Sequence, residues 1–151
     1  MRAPLSAAEI AAIRDYTDRG YERINQQLRE CDVAPQMLRK VQTLAAALNH
    51  LPAFRGDVYR GTRIDDLDLL EKYRGVGTVI VEDAFVSCSR SPLKMYGGNV
   101  LFYILSKRGR DIARWSAHPE EEEVLFRPGT SFKILAFQQT GHDVEIFLEE
   151  V

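Results

Sequence analysis

Residues 44–61, LAAALNHLPAFRGDVYRG, decide the fold of this chain because the spacing of apolar side chains changes within them. Up to Asn49, apolar residues recur every three or four positions, as they do on one face of a helix. From Val58 onward, β-branched and aromatic residues come in short runs separated by Gly, Pro and Asp, a pattern typical of strands. Helices first and strands afterwards predict an α+β fold.

Upstream of this stretch the sequence predicts three helical segments. Ser6-Ala7-Ala8-Glu9 has the form of a capping box and predicts the start of the first helix. Gly20 separates this helix from a second helical pattern over residues 21–30. Pro35 fits the first turn of a third helix, which the apolar spacing carries to Asn49.

Downstream, seven short runs predict strands and one interruption predicts a helix. The helix is expected over Ile64 to Lys72, where acidic residues near the start and Lys72 at the end suit the helix dipole. The predicted strands are Val58–Arg60, Thr78–Val81, Phe85–Ser89, Val100–Leu105, Glu123–Phe126, Phe132–Phe137 and Val144–Leu148.

The composition predicts one globular domain over residues 1–151 and excludes several classes of protein. The sequence is 45% hydrophobic and 28% charged, with a net charge of -2, which gives no general attraction to nucleic acid or anionic lipid. The two cysteines and three histidines are isolated, so that we expect no metal site. No run is long enough to span a bilayer, and the N-terminus lacks the apolar core of a signal peptide.

Glu120-Glu121-Glu122-Glu123 is the most conspicuous charge run, although runs of this kind usually lie on solvated faces. If the segment is extended, its side chains alternate, which predicts Glu121 and Glu123 on one face, roughly 6 to 7 Å apart. Two such carboxylates can have different roles, because one can stabilise positive charge while the other removes a proton. We expect Glu120 and Glu122 to be solvated.

Two other predicted strands carry polar groups that suit a ligand. Ser87 and Ser89 alternate with Cys88, which predicts both hydroxyls on one side of the strand. The planar Arg60 guanidinium can pair with phosphate oxygens, and Gly61 allows backbone to approach a ligand. Taken singly, each of these residues is better explained by a structural role such as a surface salt bridge.

Together, three segments resemble a family signature. In chain order, Arg60, Ser87-Cys88-Ser89 and Glu121-Glu122-Glu123 resemble the Arg, Ser-Thr-Ser and Glu-x-Glu signature of the arginine-specific mono-ADP-ribosyltransferases, which include many bacterial toxin domains. Cys88 departs from the usual Thr, but its side chain alternates away from the two serines and is predicted to pack.

The resemblance extends over about residues 10–134. Tyr16 and Tyr21 with Ile24-Asn25 resemble the helical segment of the family that lines the nicotinamide end of the NAD cleft. Tyr96 stands where many relatives have a Phe that stacks on nicotinamide, and a phenol ring retains the aromatic face.

The resemblance implies N-terminal helices packed on a β-rich core of two sheets, with NAD as co-substrate and no metal. It implies that Glu123 acts on the nicotinamide ribose and is held by Ser87, that Arg60 binds the NAD phosphates, and that Gly61 contacts the nicotinamide amide. The implied catalytic set is Glu123, Glu121, Ser87 and Arg60; the implied NAD site is Arg60, Gly61, Ser87, Ser89, Tyr96, Asn25, Tyr21 and Tyr16.

The identity of the group that accepts ADP-ribose is indicated by the chemistry of arginine and by the resemblance. A guanidinium has a pKa above about 12 and is no nucleophile until a base takes its proton. Glu121 is the candidate base, and in the resembling family Glu at this position accompanies modification of arginine. Two alternatives stay open: an NAD glycohydrolase, in which water replaces the acceptor, and a non-catalytic module that binds NAD or a partner.

The resemblance also implies a biological setting. We expect the catalytic domain of a larger secreted effector that acts in the cytoplasm of a target cell. The expected partners are a target protein with an acceptor arginine and a cognate immunity protein, with neither membrane nor nucleic acid among them.

Overall fold

The computed structural model describes residues 4–94 and 97–151. Its first third is helical, as predicted, and a short helical interruption lies among the strands. The helices are α1 (Ala7–Asp15), α2 (Tyr21–Arg29), α3 (Pro35–Asn49) and α4 (Leu67–Glu71), with a π-helical turn at Tyr16–Gly20 and a 3-10 turn at Lys72–Arg74. No helix in these described ranges is long and apolar enough to cross a membrane.

The helix signals in the sequence are confirmed at α1 and α3 and wrong at Gly20. The Ser6 hydroxyl accepts the Glu9 N–H at 3.1 Å, and the Glu9 carboxylate accepts the Ser6 N–H at 2.9 Å, which completes the capping box. Gly20 does not end a helix, because the π-helical turn joins α1 directly to α2. A Cβ atom on Gly20 would lie 3.1 Å from the Asp15 backbone carbonyl oxygen, which is closer than most such contacts, so that the π-helical turn favours glycine at this position.

All seven predicted strands are present, most of them longer than predicted. They are β1 (Ala53–Thr62), β2 (Val79–Glu82), β3 (Val86–Ser89), β4 (Val100–Asp111), β5 (Glu123–Phe126), β6 (Thr130–Thr140) and β7 (Asp143–Glu150). Their order is β1-β3-β5-β4-β7-β6-β2, and β1 also pairs with β4. The pairing of β4 with β7 is parallel, and the other pairings are antiparallel. The α+β class is confirmed.

The strands form two groups that share β4. Strands β1, β3, β5 and β4 close into a ring, since β1 pairs with both β3 and β4. From β4 the sheet continues through β7 and β6 to β2. The resemblance implies two sheets. In the structure, hydrogen bonds on both sides of β4 join them into one continuous sheet.

Strands β3 and β5 lie between two apolar cores. Val86 and Phe126 pack into a core formed mainly by strand residues, with contributions from the α4 region. Phe85 and Leu125 pack against α1, α2 and α3 on the other side. Full burial of one such side chain contributes about 2 kcal/mol. The helices and the ring of strands are thereby fixed against each other, and a cleft lies where they meet.

Candidate active site

The cleft has a volume of about 400 Å³ and lies between the α1–α2 segment and the strands β1, β3 and β5. Every predicted site residue that the structure describes lines it. These residues are Tyr16, Tyr21, Asn25, Arg60, Gly61, Ser87, Ser89, Glu121 and Glu123. Tyr96, which the sequence analysis also placed at the NAD site, lies outside the described residues.

Strand pairing brings distant residues together at the cleft. Tyr59 of β1 stands opposite Ser89 of β3, and Ser89 stands opposite Glu123 of β5. The Arg60 guanidinium donates a hydrogen bond from Nη1 to the Ser87 carbonyl oxygen at 3.0 Å, which anchors it to β3. The register of strands β1, β3 and β5 therefore assembles the arginine, the serines and the glutamate.

A directed chain of hydrogen bonds leads from α2 to Glu123. The Asn25 amide donates to the Tyr16 hydroxyl at 3.0 Å, and that hydroxyl lies 2.8 Å from Ser87 Oγ. Ser87 is also hydrogen bonded to the Glu123 side chain. When Glu123 is ionised its carboxylate only accepts, so that Ser87 gives its single proton to Glu123 and Tyr16 donates to Ser87. The helical segment therefore orients the serine that holds the glutamate.

Asn25 and Tyr16 use their polar groups within the protein. The Asn25 side-chain oxygen accepts the Phe85 N–H at 3.0 Å, and the residue is buried. The Tyr16 ring packs against Phe85 with centroids 5.4 Å apart, and burial raises the pKa of its phenol to about 12. Tyr21, in contrast, is 42% exposed at the cleft, with its ring at an angle of 64° to that of Tyr16.

Glu123 is a buried carboxylate at the first position of β5. Only 7% of the residue is exposed, and burial raises the pKa of its carboxyl to about 7. The Ser87 hydrogen bond acts against this increase, the Glu121 carboxylate adds to it, and the Arg60 and His118 charges lower the pKa. Near neutral pH the group is therefore divided between its two protonation states.

Glu121 reaches the cleft by a different geometry from the one predicted. It ends a 3-10 turn at Pro119–Glu121, and Glu122 has a left-handed backbone with φ of 51°. The expectation of an extended segment with alternating side chains is therefore wrong, because a turn precedes the strand. Glu121 and Glu123 nevertheless line the same cleft, and Ser89 Oγ donates to the Glu121 carbonyl oxygen at 2.8 Å.

The other two acidic residues of the run differ from each other. Glu120 is exposed, as predicted. Glu122 is half-buried: its side chain is 39% exposed and therefore still reaches solvent, but its carboxylate also lies 3.5 Å from Arg90 Nη2, a contact that was not predicted. Cys88 is buried in the strand core, as predicted, and burial raises the pKa of its thiol to about 12.

Two arginines at the cleft were not predicted from the sequence. Arg29 comes one helical turn after Asn25 on α2, and Arg63 follows shortly after the end of β1. Together with Arg60 they also line a second cavity of about 430 Å³, whose remaining wall includes apolar residues such as Phe102. The spacing of four residues from Asn25 was the signal for Arg29, because it predicts a shared helix face.

Comparison with known proteins agrees with this geometry. A family model described as ADP-ribosyltransferase exoenzyme matches residues 1–150. Mav of Mycobacterium avium (strain 104) is 37% identical over 153 residues, which cover 97% of this chain and 18% of Mav. The NAD(+)–protein-arginine ADP-ribosyltransferase Tre1 of Pseudomonas putida (strain GB-1) is 34% identical over 152 residues, which cover 99% of this chain and 30% of Tre1. The chain thus spans less than a third of either relative.

Solved structures of ADP-ribosyltransferases also match the fold of this chain. A crystal structure of the ADP-ribosyltransferase Vis from Vibrio splendidus, in complex with agmatine, matches with a TM-score of 0.85 and 31% sequence identity. The match covers 99% of this chain and 77% of the Vis chain. The resemblance found in the sequence is confirmed, and the chain belongs to the ADP-ribosyltransferase exoenzyme family.

Proposed function

We propose that this chain is a single catalytic domain that transfers ADP-ribose from NAD to an arginine of a target protein and releases nicotinamide. One observation carries the proposal: the buried Glu123 and the more accessible Glu121 line the same cleft as Arg60. Family membership gives the class of reaction. The three side chains could bind the NAD phosphates, stabilise positive charge on the ribose and take the proton of the acceptor.

Glu123 would stabilise the transition state of bond cleavage. The bond between ribose C1′ and the nicotinamide nitrogen breaks, and its electron pair leaves with nicotinamide, so that positive charge develops on the sugar. An ionised carboxylate beside that sugar lowers the barrier, and it acts more strongly where water is excluded. The burial of Glu123 and its hydrogen bond from Ser87 support this role.

Three arginines would bind the two phosphates of NAD. Arg29, Arg60 and Arg63 line both the cleft and the adjoining cavity. A dinucleotide has two ring systems joined by a pyrophosphate, and guanidinium groups pair well with phosphate oxygens. We therefore place the nicotinamide end in the cleft, with Gly61, Ser89, Tyr16, Tyr21 and Asn25, and the adenosine end in the second cavity.

Glu121 would serve the acceptor. As a guanidinium nitrogen attacks C1′, it forms a new N-glycosidic bond and must lose a proton, which the Glu121 carboxylate takes. Agmatine, which is bound in the Vis structure, carries a guanidinium group, and the name of Tre1 specifies protein arginine as its acceptor. These two relatives support arginine as the acceptor of this chain.

NAD hydrolysis is the second candidate function. Glu121 is only partly buried, so that water can reach this side of the cleft when no acceptor is present. A non-catalytic binding module is less favoured, because such a module has no need of a buried Glu123 with an elevated pKa.

The biological setting is part of the proposal. Relatives include a protein described as the Vis toxin and one described as the type III effector XopAI from Xanthomonas axonopodis. We propose that this domain likewise belongs to a secreted effector that acts in the cytoplasm of a target cell, with a cognate immunity protein as a further partner.

The direct test is incubation with NAD labelled in its adenylate moiety and a bacterial lysate. The expected result is a labelled protein band together with release of nicotinamide, and mass spectrometry should locate the label on arginine. Free ADP-ribose without labelled protein, and without labelled agmatine when agmatine is added in a parallel assay, would instead establish a hydrolase. If no nicotinamide is released, the chain is a binding module.

A further inference from the structure

Arg90 joins the two ends of the segment that carries Glu121. Its Nε lies 3.3 Å from Asp111 Oδ2 at the end of β4, and its Nη2 lies 3.5 Å from Glu122 Oε1 just before β5. Its backbone N–H also donates to the Glu122 carbonyl oxygen at 3.0 Å. The Arg90 side chain thus bridges the two ends of the loop of residues 111–122, beside the backbone pairing of β4 with β5 and the hydrogen bond from Ile112 N–H to the Glu123 carbonyl oxygen.

The backbone at Glu122 needs such support. Its φ of 51° is unusual for a residue other than glycine and costs about 1 kcal/mol or more. This left-handed residue ends the 3-10 turn directly after Glu121 and leads into β5, so that its conformation bears on the path of the chain at Glu121. Arg90 contacts Glu122 through both backbone and side chain, while the preceding Ser89 donates to the Glu121 carbonyl oxygen.

Arg90 acts from outside the cleft. Among the described residues that line the cleft, Arg90 does not appear, whereas Glu121 and Glu123 do. Glu123 is held separately by strand pairing and by Ser87. Loss of the Arg90 side chain should therefore disturb Glu121 and leave Glu123 in place.

From this geometry we infer that Arg90 is a positioning residue for the acceptor reaction: it holds the Glu121 turn and thereby sets the ratio of ADP-ribose transfer to NAD hydrolysis. The inference rests on the proposed function. Small displacements of a base cost rate because the proton must pass as the bond forms. Hydrolysis needs only cleavage of the nicotinamide bond and attack by water, so that it depends much less on the Glu121 position.

The test compares R90A and R90K with the unmodified chain, and measures transfer to agmatine and nicotinamide release without agmatine. We expect R90A to lower transfer about tenfold while hydrolysis and the KM for NAD stay within about twofold. R90K should recover part of the loss, because a lysine can meet one carboxylate but lacks the planar fork that meets both. R74A is the matched control, since Arg74 also bridges two partners, Glu71 and Gln139, away from the cleft.

A second variant covers the case in which R90A does not fold. The double change D111N/E122Q removes both charges that Arg90 meets and retains the side-chain shapes. It should reproduce the loss of transfer, with hydrolysis again unchanged.

An equal loss of both reactions, no loss in either, or the same loss in R74A would overturn the inference. If the unmodified chain releases nicotinamide but labels neither agmatine nor protein, the proposed function itself fails. The two failures are thus distinguishable.

Discussion

Glu123 and Glu121 stand two residues apart at one cleft, yet the protein holds them in opposite ways. Glu123 lies on a strand, is 7% exposed and is oriented by a side-chain hydrogen bond from Ser87. Glu121 ends a short turn, is partly exposed, and is placed through contacts to its own backbone and to Glu122. The difference fits the two tasks, because the bound sugar needs a fixed charge and a large acceptor must approach from solvent.

Replacement of Glu123 should have the largest effect. Glu123→Gln keeps the size of the side chain but removes the charge that opposes the developing positive charge on ribose. We expect nicotinamide release and protein labelling to fall together, by about a thousandfold. Release that persists at the rate of the unmodified chain would remove Glu123 from the mechanism. Steady-state assays with and without agmatine measure both reactions.

Replacement of Glu121 should separate the two reactions. Glu121→Gln removes the base, so that transfer to arginine should fall about a hundredfold while hydrolysis stays within a few-fold. The measurement is the ratio of labelled agmatine to free ADP-ribose. Equal labelling by this variant and the unmodified chain would show that another group takes the proton.

The pH dependence should sharpen the comparison further. The ionised form of Glu123 is the active one, and its pKa is raised to about 7 by burial. The kcat/KM for NAD hydrolysis should therefore rise with pH and fall about fivefold from pH 7 to pH 6. In Glu121→Gln the midpoint should move to lower pH, because the Glu121 charge contributes to the increase in the Glu123 pKa. A profile that is flat between pH 5.5 and 8 would contradict this assignment.

The same contrast explains how far the sequence could predict the molecule. The helix signals, the seven strands and the strand residues of the site were readable, because they depend on local periodicity and on capping groups close in sequence. Glu123 and Ser87 lie on such strands, and their predicted side-chain directions brought them to the cleft. The prediction worked where regular structure governs side-chain direction.

It failed where the backbone is irregular. The path of Glu121 depends on the left-handed Glu122, and no local pattern marks a glutamate for that conformation. The conformation is held by Arg90, more than thirty residues earlier, which only the folded chain brings near. The π-helical turn at Gly20 is similar, because a glycine alone suggests a helix end and no local pattern marks this turn.

The last expected effect concerns the free energy of unfolding, and it again distinguishes Glu123 from Glu121. The folded-state pKa of Glu123 is raised, so that between about pH 4.5 and pH 7 the folded protein binds more protons than the unfolded chain, and stability falls as pH increases. Glu123→Gln removes this penalty and should raise the free energy of unfolding by about 2 to 3 kcal/mol at pH 8.

At pH 5 most of that gain should be lost, leaving about 1 kcal/mol, because Glu123 is then neutral in the folded protein and resembles its amide, while the unfolded side chain is already largely ionised. Glu121→Gln is the matched control and should change the free energy of unfolding by less than about 0.5 kcal/mol at either pH, since its side chain is not fully removed from water. Urea unfolding at both pH values measures these differences. If Glu123→Gln were equally stabilising at pH 5 and pH 8, the gain would come from packing, and the buried charge would carry no cost. A gain that is largest at high pH means that the protein gives up stability to keep a carboxylate where the reaction needs it.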